Sequence, residues 1–98
     1  MLINLKELNM KVDVYDTYTK SIKGHTMHFD VLVPEGISPE TAFKYAQEWL
    51  EKNGEDDKSL RQELCNFCHS ELARSNVEHD IKSSGYHILQ MQGCPNPA

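Results

Sequence analysis

Three cysteines supply the side chains best suited to metal or redox chemistry in this chain. Cys65 and Cys68 have the Cys-x-x-Cys spacing, which brings two thiols within reach of one ion or of each other. Cys94 lies near the C-terminal end and supplies a third thiol. Because zinc takes four thiolate or imidazole donors in a tetrahedron, these residues predict a zinc site that a histidine completes. The fourth ligand is His69, or alternatively His28 or His87.

The same motif has other interpretations. Cys65 to His69 matches the attachment signature of c-type haem, but haem attachment requires export, and the first residues contain no apolar run of signal-peptide length. We therefore expect no haem. A dithiol redox protein is a second alternative, although the pair follows a polar stretch and does not begin a helix after a strand. In the simplest interpretation the three cysteines are small packing residues.

A second group of chemical interest is Asp16, His28 and Asp30. Adjacent antiparallel strands bring such side chains within hydrogen-bond distance, so they suggest a carboxylate and imidazole pair for proton transfer in a small enzyme. Polar positions that alternate along a half-exposed strand face water by default, and we expect these three on the solvent face of the hairpin. No nucleophile elbow, glycosidase carboxylate pair or phosphate-binding glycine loop is recognisable, so we assign no catalytic residue.

A few predicted elements position these residues. Alternating apolar residues predict strands over residues 11–16 and 27–33, paired as a hairpin, and a third strand over residues 86–91. Ser38 before Pro39 predicts the start of a helix that ends near Lys52, because serine accepts from free amides of the first turn. Ser75, with Glu78 three residues later, predicts a second helix that ends at Gly85.

The order strand, strand, helix, helix, strand predicts a small α+β domain. We expect one antiparallel sheet of three strands, with both helices packed on one face around a single hydrophobic core. The connector between the helices reads as a solvated turn, followed by one short helical turn over residues 59–64 that leads into the cysteine motif. The other face of the sheet would be partly open.

Composition excludes several classes of protein. The chain has 98 residues, which is the size of one ordinary domain. Its formal net charge of −5 opposes attraction to nucleic acids and to anionic membranes, so we expect neither as a partner. No stretch approaches the roughly 20 apolar residues that cross a bilayer. Without an export signal, we expect the protein in the cytoplasm.

Four motifs in order resemble a small bacterial family. They are residues 10–18, residues 24–36, residues 65–69 and residues 85–94. Together they look like the domain of unknown function numbered two thousand and twenty-four, from Met10 to Cys94. The resemblance implies a small single-domain bacterial protein and carries no activity, substrate or catalytic residue.

The resemblance also divides the chain. Residues 10–94 are predicted to form the α+β domain, and residues 95–98 a short tail. Residues 1–9 precede the start that the resemblance implies, so they form an extension or a loose tail, and either Met1 or Met10 is the physiological start. We interpret the protein as a non-catalytic binding or interaction module for a protein or small-molecule partner, with zinc as its candidate cofactor. The alternatives are the small enzyme and the dithiol redox protein.

Overall fold

The computed structural model describes residues 10–55 and 57–95, which form a four-stranded antiparallel sheet and two α-helices. In chain order the elements are β1 (Lys11–Lys20), β2 (Thr26–Pro34), α1 (Pro39–Lys52), β3 (Cys65–Leu72), α2 (Ser75–Ser84) and β4 (His87–Gln92). The strands lie side by side in the order β3-β1-β2-β4. The predicted three-stranded sheet and the order β-β-α-α-β are therefore wrong, because a fourth strand lies between the helices.

The hairpin of β1 and β2 forms the centre of the sheet. Both strands run longer than the predicted segments, and their antiparallel register pairs Val14 with Leu32 and Asp16 with Asp30. Gly24 has a φ of 93° in the turn, a backbone conformation that glycine adopts without steric cost. Since each central strand has a neighbour on both sides, the hairpin is the best-covered part of the sheet.

Helix α1 has the predicted bounds, Pro39–Lys52. The Ser38 side chain accepts a hydrogen bond from the Thr41 amide at 3.2 Å, which satisfies one free donor of the first turn. Its buried residues Ala42, Ala46 and Leu50 pack on the sheet face formed by side chains such as Tyr15, Phe29 and Val31. We call this surface the α1 face.

Helix α2 covers the opposite face of the sheet. Its buried residues Val77 and Ile81 pack with Val12, Val14 and Leu32, which alternate with the residues of the α1 face. We call this second surface the α2 face. The predictions that both helices lie on one face and share one core are wrong, since the apolar residues form two clusters separated by the sheet.

The ends of α2 match the sequence only in part. The helix begins after Arg74, and no side chain makes a capping hydrogen bond there, so the predicted capping box of Ser75 and Glu78 does not form. Gly85 ends the helix with a φ of 95°, as expected. This positive φ favours glycine, while a Cβ atom here would lie 2.7 Å from Oη of Tyr45, the end of a side chain that can move.

Strand β3 replaces the irregular segment expected around the cysteine motif. Two 3₁₀ turns, Asp57–Ser59 and Gln62–Leu64, come before it in place of one helical turn. The strand pairs with β1 alone, and every residue of it except Cys65 is exposed. An edge strand with so little burial shows no alternation of apolar and polar residues, which is why the sequence did not reveal it.

Some expectations fall on other parts of the chain. Residues 1–9, and residues 96–98 of the predicted tail 95–98, lie outside the described residues, and so does the choice between Met1 and Met10. Within residues 10–55 and 57–95, neither helix combines the length and apolar character that crossing a bilayer requires.

Candidate functional site

The hairpin register gathers Asp16, His28 and Asp30 on the α2 face. Asp16 in β1 lies opposite Asp30 in β2, and Tyr18 lies opposite His28. Side chains two positions apart on a strand point to the same face, so all four residues extend the row that Val14 and Leu32 begin. Helix α2 packs on the apolar end of this row.

The three polar side chains are close enough to share one ligand. Nε2 of His28 donates to Oδ1 of Asp16 at 2.5 Å. One ligand atom each from Asp16, His28 and Asp30 lies within 4.8 Å of the others. The imidazole of His28 also stacks on the Tyr18 ring, with the centroids 4.1 Å apart and the planes 8° from parallel. Stacking and hydrogen bond together fix the orientation of the imidazole.

Asp30 is the unusual member of the group. Only 7% of its surface is exposed, and its Oδ1 atom is buried without a hydrogen-bond partner among the described residues. Burial, the hydrogen bond with Asp16 and the negative charge of Asp16 together raise the pKa of Asp30 to about 6, against the opposing charges of His28 and His69. The site therefore holds two adjacent carboxyl groups, and ionising both of them has a free-energy cost.

The surroundings leave this group accessible from one side. The side chains of His28 and Asp16 keep 19% and 36% of their surface exposed. Leu89 of β4 lies opposite Asp30 and is itself exposed. Leu89 also lines a cavity of about 360 Å³ that continues along the α2 face to Leu32 and Arg74. Water or a small molecule can therefore reach the exposed parts of Asp16 and His28.

The structure does not bring the three cysteines together. Cys65 is buried on the α1 face, where the Thr17 hydroxyl donates to its Sγ at 3.4 Å. Cys68 is exposed on β3, and the register with β1 puts its Cα atom roughly 7–10 Å along the strand from that of Cys65. Cys94 follows β4 at the opposite edge of the sheet, three strand spacings or about 14 Å away. Its Sγ donates to the His28 carbonyl at 3.4 Å.

The proposed fourth zinc ligands also have other partners. His69 contacts Glu71 and Cys68, His87 contacts Asp80, and His28 contacts Asp16. In the parts of the chain that the structure describes, the one group of three metal-type donors within 4.8 Å is Asp16, His28 and Asp30. Zinc binding by the three thiols stays a prediction that would require a rearrangement of β3 and β4.

Sequence reasoning named the residues of this site but not their environment. Asp16, His28 and Asp30 were expected on a solvent face, whereas Asp30 is buried. Tyr18 was missed, although its position two residues after Asp16 in an alternating strand was a usable signal. Glu71, which contacts His69, was missed because β3 itself was not predicted.

Comparison of the sequence with known protein families identifies the family of this chain. The model of the family described as Domain of unknown function (DUF2024) matches residues 10–91. This chain belongs to that family. The resemblance predicted from the four motifs is confirmed, and the match begins at Met10 as expected. Of the residues discussed above, Cys94 lies beyond the part that matches the DUF2024 family.

A solved structure of a related protein has the same architecture. It is the NMR structure of protein NE1680 from Nitrosomonas europaea, to which this chain is 44% identical. The alignment covers 87% of this chain and 99% of that one, with a TM-score of 0.76. The search of curated proteins found no significant match. The comparisons therefore support the fold of this DUF2024 member and assign no activity to its site.

Proposed function

We propose that the protein is a small binding module that holds a divalent transition-metal cation at Asp16, His28 and Asp30. The observation that carries the proposal is the buried Oδ1 of Asp30, which has no partner among the described residues. A buried carboxyl oxygen without a partner is costly, whereas a cation held by this group would coordinate it. Two further donors lie within 4.8 Å, so small side-chain rotations would bring all three to about 2.1 Å from one ion.

The electrostatics of the site support a cation. Two carboxyl groups that lie together in a partly buried place repel each other when both are ionised, and a shared proton or a cation relieves this repulsion. Burial and then this repulsion raise the pKa of Asp30. A doubly charged ion would neutralise both carboxylates and satisfy Asp30.

The donor set favours particular metals. Two carboxylates and one imidazole suit Mn²⁺, Fe²⁺ or Zn²⁺, while Ca²⁺ prefers a cage made of oxygen ligands alone. Three protein ligands leave coordination positions for water or for a small ligand. The partial exposure of Asp16 and His28 gives such a ligand room. The enzyme alternative uses the same residues, and an open coordination position is where its substrate would bind.

The binding test compares Asp30 with Asp80, an aspartate outside the site that contacts a histidine. Calorimetric titration and native mass spectrometry with Zn²⁺ and Mn²⁺ should give one ion per chain for the full-length protein. Asp30→Asn should weaken binding about 100-fold or more, because it removes a charged ligand without changing the shape of the side chain. Asp80→Asn is the matched control, since Asp80 contacts His87 at 2.6 Å without a third donor among the described residues.

Each result decides the proposal. Absence of binding, or equal affinity in wild type and Asp30→Asn, would overturn it. Loss of Zn²⁺ binding in Cys68→Ser but not in Asp30→Asn would instead establish the zinc site predicted at the cysteines.

We further propose a cytoplasmic location, which the three free thiols support because they suit a reducing compartment.

A further inference from the structure

A separate chemical group lies on edge strand β3. Cys68 is exposed, and its Sγ lies 3.3 Å from Nδ1 of His69. Nε2 of the same imidazole lies 2.6 Å from Oε1 of Glu71. When Nε2–H donates to the carboxylate, Nδ1 is left as an acceptor that faces the thiol. The thiol then contacts the imidazole, and the imidazole contacts the carboxylate, which is the arrangement that activates cysteine nucleophiles.

A β-bulge explains how two neighbours in sequence come into contact. Side chains at successive positions of a regular strand point to opposite faces of the sheet. Here Val14 pairs with His69 while Tyr15 pairs with Phe67, so Cys68 is an extra residue in β3. The extra residue interrupts the alternation and lets the Cys68 thiol meet the imidazole of His69.

We propose that Cys68 is a nucleophilic thiol, activated by His69, that reacts with disulfides of low-molecular-weight thiols. Nδ1 of His69 accepts the thiol proton, and the Cys68 thiolate attacks one sulfur of the disulfide R–S–S–R. A mixed disulfide forms between Cys68 and R–S, and the original S–S bond breaks. The departing R–S⁻ takes the proton from His69 and leaves as R–SH. Cys68 is oxidised, and one half of the external disulfide is reduced.

The positions of the other cysteines make the mixed disulfide the end product. Cys68 lies between the partners of Tyr15 and Val14, so its Cα atom is roughly 7–10 Å along β3 from that of Cys65, at or beyond the roughly 7 Å that a disulfide spans. Cys94 lies at the far edge of the sheet. Burial raises the pKa of both the Cys65 and the Cys94 thiol, which disfavours their reactive form. Cys68 is thus a site of reversible thiol modification, and no dithiol cycle is expected.

The test uses the full-length protein with a chelator present, so that it is independent of the cation site. Glutathione disulfide should add once per chain, and peptide mass mapping should locate the adduct on Cys68. With a chromogenic aromatic disulfide at pH 7, His69→Gln should react about tenfold more slowly than wild type. His79→Gln on α2 is the matched control and should keep the wild-type rate. Circular dichroism checks that each variant is folded.

The pH profile separates activation from a structural effect. Well above pH 8.5 a free cysteine thiol ionises without a base, so the rates of wild type and His69→Gln should converge there. A residue that merely shapes β3 would leave a constant ratio between them, which would overturn the proposal. A wild-type rate for His69→Gln at pH 7, an adduct on Cys65 or Cys94, or a Cys65 to Cys68 disulfide as the product would do the same.

Discussion

The two faces of the sheet are covered to very different extents. On the α1 face, α1 packs on a continuous apolar surface in which Phe29, Val31 and Leu50 have no exposed surface. On the α2 face, the shorter α2 contributes only Val77 and Ile81 to its cluster, and these keep 6% and 8% exposure. Toward the hairpin turn, the β1 and β2 rows continue with the polar side chains of Asp16, Tyr18, His28 and Asp30.

This difference explains where the candidate chemistry lies. A carboxylate and an imidazole can bind or react only where water or an ion can reach them. Buried apolar neighbours shift the pKa values of such groups. The end of the α2 face meets both conditions, because α2 stops short of Asp16, His28 and Asp30. The α1 face stabilises the fold, and the α2 face leaves room for binding.

The largest expected effect compares one leucine and one isoleucine, each in the helix that covers its face. Leu50→Ala should lower the free energy of unfolding by about 4 kcal/mol, since it leaves a cavity under a fully buried side chain. Ile81→Ala should cost about 2 kcal/mol, because its site is shallower and alanine favours the helix. Urea unfolding measures both values. A loss for Ile81→Ala as large as that for Leu50→Ala would contradict the unequal cover of the two faces.

The next effect concerns pH and the α2 face. The pKa of Asp30 is about 6 in the folded protein against an ordinary value of 3.8, so between these values the folded state holds a proton that the unfolded state releases. Stability from this group is fully present below about pH 4 and is lost as the pH rises to about 6, by roughly 2–3 kcal/mol.

Asp30→Asn isolates this contribution. The asparagine variant should lack the loss, so its stability relative to wild type should increase between pH 4 and pH 7 when unfolding is measured with a chelator present. The same pH dependence in both proteins would show that Asp30 is not held in a site that favours its protonated form.

The smallest effect compares the starts of the two helices. Ser38→Ala should destabilise the protein by about 1 kcal/mol, because the Ser38 side chain caps α1. Ser75→Ala should change stability by less than about 0.5 kcal/mol, since no side chain caps α2. Thermal unfolding of the two variants provides the measurement. An equal loss of stability in the two variants would contradict the absence of a side-chain cap at the start of α2.

Local sequence patterns predicted the elements that carry their own signals. Alternation located β1 and β2, and Ser38, Pro39 and the apolar stripe set the bounds of α1 correctly. Strand β3 has no such signal, because its ladder with β1 comes from backbone hydrogen bonds that almost any exposed sequence can make. Because β3 was not predicted, the predicted sheet order and the predicted side on which α2 packs were wrong as well.

The sequence also predicted some features of the candidate sites and missed others. Residue types and spacing identified Asp16, His28 and Asp30 and drew attention to Cys68 and His69. The burial of Asp30, the bulge at Cys68 and the separation of the three thiols depend on pairing between distant segments. Spacing along the chain made Cys65 and Cys68 look like partners, whereas extended backbone keeps them apart.

By itself, the sequence determined the family, the central hairpin, the first helix and the residue types available for chemistry, because each rests on local pattern or on motifs read in order. The tertiary structure alone decided which side chains meet. A shift of one residue in the register of β1 and β2 would turn Asp16 away from Asp30. That register is fixed by burial of Val14 and Leu32 against α2, an interaction between distant parts of the chain that no local pattern contains.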